Sequence, residues 1–127
     1  MKKIGKEVCF LQTGEGNPRN GEGTFIRLKD GSILYAFTEY CGNSWEDHAV
    51  ARISGCHSFD EGETWTERFI LFEKDEAAQN IMSANLIRMN NGDLGMIYLR
   101  KEKMSDNGYV CMPVIRRSAD EGRSWSG

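Results

Sequence analysis

The residues able to do chemistry in this chain are arginines, carboxylates, and a few scattered cysteines and histidines. Asp47 stands in Ser44-Trp45-Glu46-Asp47-His48, an acidic pair beside an aromatic. A carboxyl group acts as a general acid near neutral pH only if its pKa is raised, and burial near Trp45 would supply that. Glu46 is the rival for the same role. Arg19, in Asn17-Pro18-Arg19-Asn20-Gly21, is permanently charged and offers two parallel donors, the arrangement a carboxylate accepts. A solvated loop arginine and an ordinary acidic loop are the competing readings of these segments. Cys9, Cys41, Cys56 and Cys111 form no C-x-x-C pair, and only His48 and His57 could complete a zinc site. Reduced cysteines, no metal and no cofactor are therefore expected. Asp-Glu-Gly occurs twice, at Asp60-Glu61-Gly62 and Asp120-Glu121-Gly122. Neither copy has the alternating oxygen ligands and closing glutamate of an EF-hand calcium loop.

The elements that must position these groups come in a repeat. Ser58-Phe59-Asp60-Glu61-Gly62-Glu63-Thr64-Trp65 recurs sixty residues later as Ser118-Ala119-Asp120-Glu121-Gly122-Arg123-Ser124-Trp125. Upstream, the segment Phe25 to Leu34 aligns with Leu86 to Gly95. Asp30-Gly31 and Asn91-Gly92 are hairpin dipeptides able to supply the positive φ of tight primed turns. They join a short strand (about residues 24–28, then 84–89) to a longer one (about 32–39, then 93–100). A third strand follows (about 48–57, then 109–117), and Glu67 to Glu73 reads as a fourth. A further strand is expected around Glu7 to Leu11, and Asp75 to Asn80 has the only composition suited to a turn of helix. Four antiparallel strands per unit describe propeller blades, blade one at about 24–74 and an incomplete blade two at about 82–127.

The pattern S-x-D-x-G-x-[ST]-W, matched at every defining position in both copies, resembles the Asp box, or BNR (bacterial neuraminidase) repeat, of the sialidase superfamily. The resemblance runs from roughly Asn17 to Trp125. It implies an all-β fold: a partial β-propeller of the sialidase type, about two four-stranded blades of about six expected. The box reads as structural. Asp60 and Asp120 suit bonds to their own turn's N–H groups, Gly62 and Gly122 allow unusual backbone angles, and Trp65 and Trp125 can plug the space between sheets.

Reversal of direction at each turn puts the hairpin dipeptides on one face with the Asp boxes. The opposite rim collects about 12–23, 40–47, 75–83 and 101–108. That rim offers Arg19, Glu39, Asp47 and His48 from blade one, and Asn80, Ser83, Arg100, Lys101 and Glu102 from blade two. Sialidases as a family use an arginine triad on the sugar carboxylate, an Asp as acid/base, and a Tyr nucleophile paired with a Glu. The resemblance implies Arg19 in the place of the first arginine, although the family's Phe-Arg-Ile-Pro motif is absent, and Asp47 in the place of the acid/base. Arg19, Asn80 and Arg100 are the expected substrate-binding residues. The nucleophile and remaining arginines belong to later blades, so Tyr35, Tyr40, Tyr98 and Tyr109 are not read as nucleophiles.

The implied function is part of a sialidase-like exo-glycoside hydrolase acting on terminal sialic acid or a related acidic sugar, the 127 residues alone being inactive. The alternative is a non-catalytic carbohydrate-binding or scaffolding propeller, and chemistry on a different acidic sugar is a third reading. A net charge of −3 with scattered Lys and Arg gives no case for nucleic acid or an anionic membrane as partner. Apolar runs are too short for a membrane span, and the stretch Val8 to Leu11 is too short for a signal-peptide core, so a cytoplasmic location is expected, with secretion left open. Two blades without a closed ring imply an exposed strand edge and self-association, through either a truncated gene product or assembly of several copies.

Overall fold

The computed structural model describes residues 4–127; Lys2 and Lys3 of the basic N-terminal segment lie outside them. The described residues form strands and turns with no helix. Strands β1 (Arg19–Arg27), β2 (Ile33–Tyr40), β3 (Ala51–Ser58) and β4 (Phe69–Phe72) make an antiparallel sheet in chain order. A second antiparallel sheet holds β5 (Asn80–Arg88), β6 (Leu94–Lys103) and β7 (Tyr109–Ser118).

Strand alternation decides which side chains meet between the sheets. Leu34 and Ala36 of β2 are fully buried, as are Leu94 and Met96 of β6. With Ile53, Ile81, Ala84 and Leu86 they form one core between the two sheets. Burying each large aliphatic side chain there contributes about 1.5–3 kcal/mol. β5 lies directly against β1, β2 and β3, so the second sheet's leading strand is seated on the face of the first. Side-by-side stacking of this kind makes the described residues an all-β partial propeller, with no closed ring among them. Ile87, Ile97 and Ile115 of the second sheet stay exposed.

Each Asp box is a corner closed by its own side chains. Asp60 accepts the Thr64 N–H at 2.8 Å and the Thr64 hydroxyl at 2.6 Å, while the Gly62 N–H donates to Ser58 Oγ at 2.8 Å. Glu61 and Gly62 have φ of 60° and 87°, the paired positive values of a primed turn, and Glu121 and Gly122 repeat them at 60° and 90°. With both carboxylate oxygens of each aspartate taken by the corner itself, the box is a structural device.

The hairpin dipeptides differ from expectation. Only the glycine of each pair is left-handed, with φ of 89° at Gly31 and 92° at Gly92. Gly31 N–H donates to Leu28 O at 3.0 Å and Leu28 N–H to Ser32 O at 2.8 Å. That is a three-residue loop, a type I turn followed by a bulged glycine, and not a two-residue primed turn. Met89, Gly92 and Asp93 repeat it. In the β6–β7 loop Asn107, at φ 65°, takes the glycine's seat.

Strand limits also shift. β1 and β5 begin at Arg19 and Asn80, upstream of the expected starts, and β6 runs on to Lys103. The cause is a bulge in each leading strand, between Asn20 and Gly23 and between Met82 and Asn85, which breaks the period-two pattern while pairing resumes beyond it. In the segment Asp75–Asn80, Asp75–Ala78 is a single turn closed by Ala78 N–H on Asp75 O at 3.2 Å, and Asn80 already opens β5, so no helix forms there. Glu7–Leu11 is not a strand, because it enters no ladder. It runs beside Phe25, Tyr35 and Trp65 of the first sheet, and Asn20 Nδ2 donates to Leu11 O at 3.0 Å.

Candidate functional site

Cross-strand pairing sets Arg19, the first residue of β1, opposite Tyr40, the last of β2. The Arg19 guanidinium lies over the buried Tyr40 ring, 4.6 Å from its centroid. From there Nη1 donates to Asp47 Oδ1 at 2.7 Å and to Trp45 O at 3.1 Å. The loop carrying Asp47 closes on itself through Cys41 N–H to Val50 O at 2.8 Å and Ala49 N–H to Glu46 O at 3.0 Å.

The second sheet fixes that loop from outside. Asn80, fully buried at the start of β5, donates Nδ2 to Asp47 O at 2.9 Å and to Ala49 O at 2.8 Å. Its register partner Lys101, also buried, places Nζ 2.7 Å from Asp47 O and 3.3 Å from His48 Nδ1. An ammonium has only donors, so His48 Nδ1 is the acceptor in this pair. The His48 ring stacks on Tyr109 at 3.9 Å, and Gln79 Nε2 donates to His48 O at 2.7 Å. Asn80 Oδ1 is buried without a partner among the described residues. Ser83 sits at the β5 bulge with φ 57°, its N–H donating to Thr38 Oγ1 of the first sheet at 3.0 Å.

The expected electrostatics of Asp47 are overturned. Trp45 is 69% exposed and does not bury the carboxyl. Hydrogen bonding to Arg19, followed by that guanidinium's charge, holds the Asp47 carboxyl below its usual range, while Arg19 is raised by the same bond. Asp47 is therefore an ionised, exposed carboxylate in this state.

Arg19, Asp47 and Asn80 come together; Arg100 stands apart. Its Nε and Nη2 each reach an Asp75 carboxylate oxygen at 2.7 Å, and Nη1 meets Glu102. Those contacts commit its donors, unlike Arg19's, and hold the Asp75 carboxyl far below its ordinary range. Glu39 is buried behind the rim. Burial pushes its carboxyl up, but bonds from Arg52 at 2.9 Å, Ser54 at 2.5 Å and Arg68 at 3.2 Å outweigh that and bring it below the usual range. Lys101 was placed on the rim without a role, whereas Tyr40 as the bed for Arg19, and Gln79 and Tyr109 in the frame of the Asp47 loop, were not among the residues expected to form the site. Cross-strand pairing of residues 19 and 40 was the available signal, hidden by the bulge.

A cavity of about 600 Å³ lies on the other face, between the second Asp box and the β3–β4 side of the first sheet, against His57, Phe59 and Phe69. A shallower one of about 340 Å³ opens on the rim beside Glu46, His48 and Tyr109. The convergence of charged groups, not cavity size, marks the rim. Among the described residues no group of three or more His, Cys, Asp or Glu side chains is placed to hold a metal ion.

The two stacked antiparallel sheets have the fold of a segment of a sialidase-type β-propeller. No family model and no curated protein matches the sequence. Among solved structures, a protein of unknown function from Dyadobacter fermentans DSM 18053 is similar at a TM-score of 0.73 and 20% identity, over 91% of this chain and 36% of that one. The Hadza microbial sialidase Hz136 is similar at a TM-score of 0.70 and 17% identity, over 87% of this chain and 25% of that one. The likeness is one of fold, and this chain spans about a third and a quarter of those two chains.

Proposed function

We propose that these residues supply two blades of a sialidase-like exo-glycoside hydrolase acting on terminal sialic acid or a related acidic sugar. In this reading Arg19 holds the sugar carboxylate, Asp47 is the acid/base residue, and Asn80 with Lys101 sets the Asp47 loop. The observation that carries it is the Arg19–Asp47 pair at 2.7 Å on the rim of a fold shared with a sialidase. A guanidinium seated on an aromatic face and open to solvent suits a carboxylate-bearing sugar. The nucleophilic tyrosine and further arginines would come from other blades.

The test is turnover of an aryl sialoside by the polypeptide carrying the whole ring. Release of the aryl alcohol is expected, with Asp47→Asn and Arg19→Met each slowing it about 100-fold or more. A complete ring inert towards sialosides would sink the reading.

One observation favours a second reading, a propeller that binds acidic glycans without cleaving them. Asp47 is held ionised, and an ionised carboxylate has no proton to give a leaving oxygen. Glycan binding without turnover, unchanged in Asp47→Asn, would decide for it.

A further inference from the structure

The Arg19–Asp47 contact differs from the two-armed arginine–carboxylate pairs of this chain, Arg27–Glu61, Arg88–Glu121 and Arg100–Asp75. Arg27 grips Glu61 with two arms, both 2.8 Å, and Arg100 grips Asp75 with two, both 2.7 Å. Arg19 meets Asp47 with Nη1 alone, and that same nitrogen also serves Trp45 O. Its Nε and Nη2 have no partner among the described residues. Parallel two-armed pairing is the stronger arrangement, so a free carboxylate arriving at Arg19 has bonds to gain that Asp47 does not make.

Releasing Asp47 needs little rearrangement. Its side chain is 64% exposed, so water can solvate the carboxylate once it leaves. Its backbone carbonyl stays fixed by Asn80 at 2.9 Å and Lys101 at 2.7 Å, so rotation of the side chain suffices. The Tyr40 ring, 4.6 Å from the Arg19 guanidinium, supports that guanidinium independently of Asp47.

We infer that the Asp47 carboxylate is a built-in occupant of the Arg19 anion seat, exchanged for the carboxylate of an incoming acidic sugar. The inference rests on the acidic-sugar reading of the rim and adds an order of events to it. The ligand's charge neutralises Arg19, Asp47 loses its cation, and its carboxyl rises towards the protonated form that a general acid requires. Neutral sugars, lacking the displacing charge, leave the pair closed. The seat thereby selects for anionic ligands before any chemistry.

The test uses the chain itself, with N-acetylneuraminic acid as probe and its methyl ester as the uncharged control. If Asp47 occupies the seat most of the time, Asp47→Asn removes the competitor and tightens binding of the acid about tenfold. The ester should gain nothing, and Arg19→Met should lose the acid. Equal or weaker binding of the acid by Asp47→Asn overturns the exchange, while Arg19-dependent binding would leave the acidic-sugar reading standing. Should no variant bind the acid, the sugar needs the arginines of other blades, the acidic-sugar reading passes to the whole-ring test, and the exchange is judged by itself, with formate and the ¹³C signal of the Asp47 carboxyl. Formate must then raise the Asp47 titration midpoint in the unsubstituted chain and not in Arg19→Met. No formate effect overturns the exchange.

Discussion

In the first Asp box the aspartate accepts its threonine's N–H at 2.8 Å and hydroxyl at 2.6 Å; in the second it accepts the serine's at 2.8 and 2.5 Å. Both tryptophans donate to the box glycine's carbonyl at 3.1 Å. Internally the corners are the same object, but their surroundings differ. Trp125 meets Phe72 of the first sheet at 5.9 Å and joins the inter-sheet core. Trp65 lies against Phe25 and Tyr35 of its own sheet, under the unpaired segment 6–11. Among the described residues Glu61 binds only Arg27 of its own sheet, whereas Glu121 takes Arg88 and also the Lys29 N–H across the interface at 3.0 Å. Eight residues therefore set the geometry of the corner, and the neighbouring sheet sets its energetic weight.

The sharpest way to break that comparison is to truncate both tryptophans. Trp125→Ala removes packing from the core between sheets and should lower stability by about 3 kcal/mol, and Trp65→Ala by about half as much. Urea denaturation of the two variants measures it. Equal losses would mean that the interface adds nothing to the motif.

The glycines sharpen the same contrast on a smaller scale. Gly62 and Gly122 both hold φ near 90°, where an alanine is strained by about 1 kcal/mol. A Cβ on Gly62 would lie 3.8 Å from Trp65, in ordinary contact, whereas one on Gly122 would come within 3.3 Å of Leu34 across the interface. Gly122→Ala is expected to cost a few tenths of a kcal/mol more than Gly62→Ala in the same denaturation series. The reverse order would show that Leu34 yields freely.

The boxes also explain what was legible in the sequence. Ser58, Asp60, Gly62 and Trp65 bond within one corner, so their types at that spacing carry the geometry with them, and recurrence sixty residues on exposes the stacked sheets. The rim has no such local code. Arg19 finds Tyr40 through strand pairing and Asp47 through a loop, and Lys101 reaches that loop from the other sheet. Strand parity gathered these residues on one rim, but the bulges at 20–23 and 82–85 hid where β1 and β5 begin. The ionisation of Asp47 was misjudged for the same reason: its controlling neighbour is Arg19, 28 positions away, and not the adjacent Trp45. Arg100 was legible as a rim cation, but its capture by Asp75, 25 positions away, was not.

The smallest effect tests whether each corner is electrostatically self-contained. The Ser124 hydroxyl and N–H, with the Ser118 hydroxyl, hold the Asp120 carboxyl down to about 2, and Thr64 lowers Asp60 in the same manner. A carboxyl depressed on folding takes up its proton later than the unfolded chain does. Its contribution is complete above the ordinary value of 3.8, declines as pH falls below it, and is gone once pH passes the folded value near 2. Both aspartates are exposed, so burial contributes little and the bonds within the corner decide the shift. Ser124→Ala should therefore raise the Asp120 titration midpoint, followed by ¹³C NMR of the side-chain carboxyls, and leave Asp60 where it was. Movement of both midpoints would show that the corners communicate through the sheet interface, and the separation of local geometry from neighbouring support would fail at the level of charge.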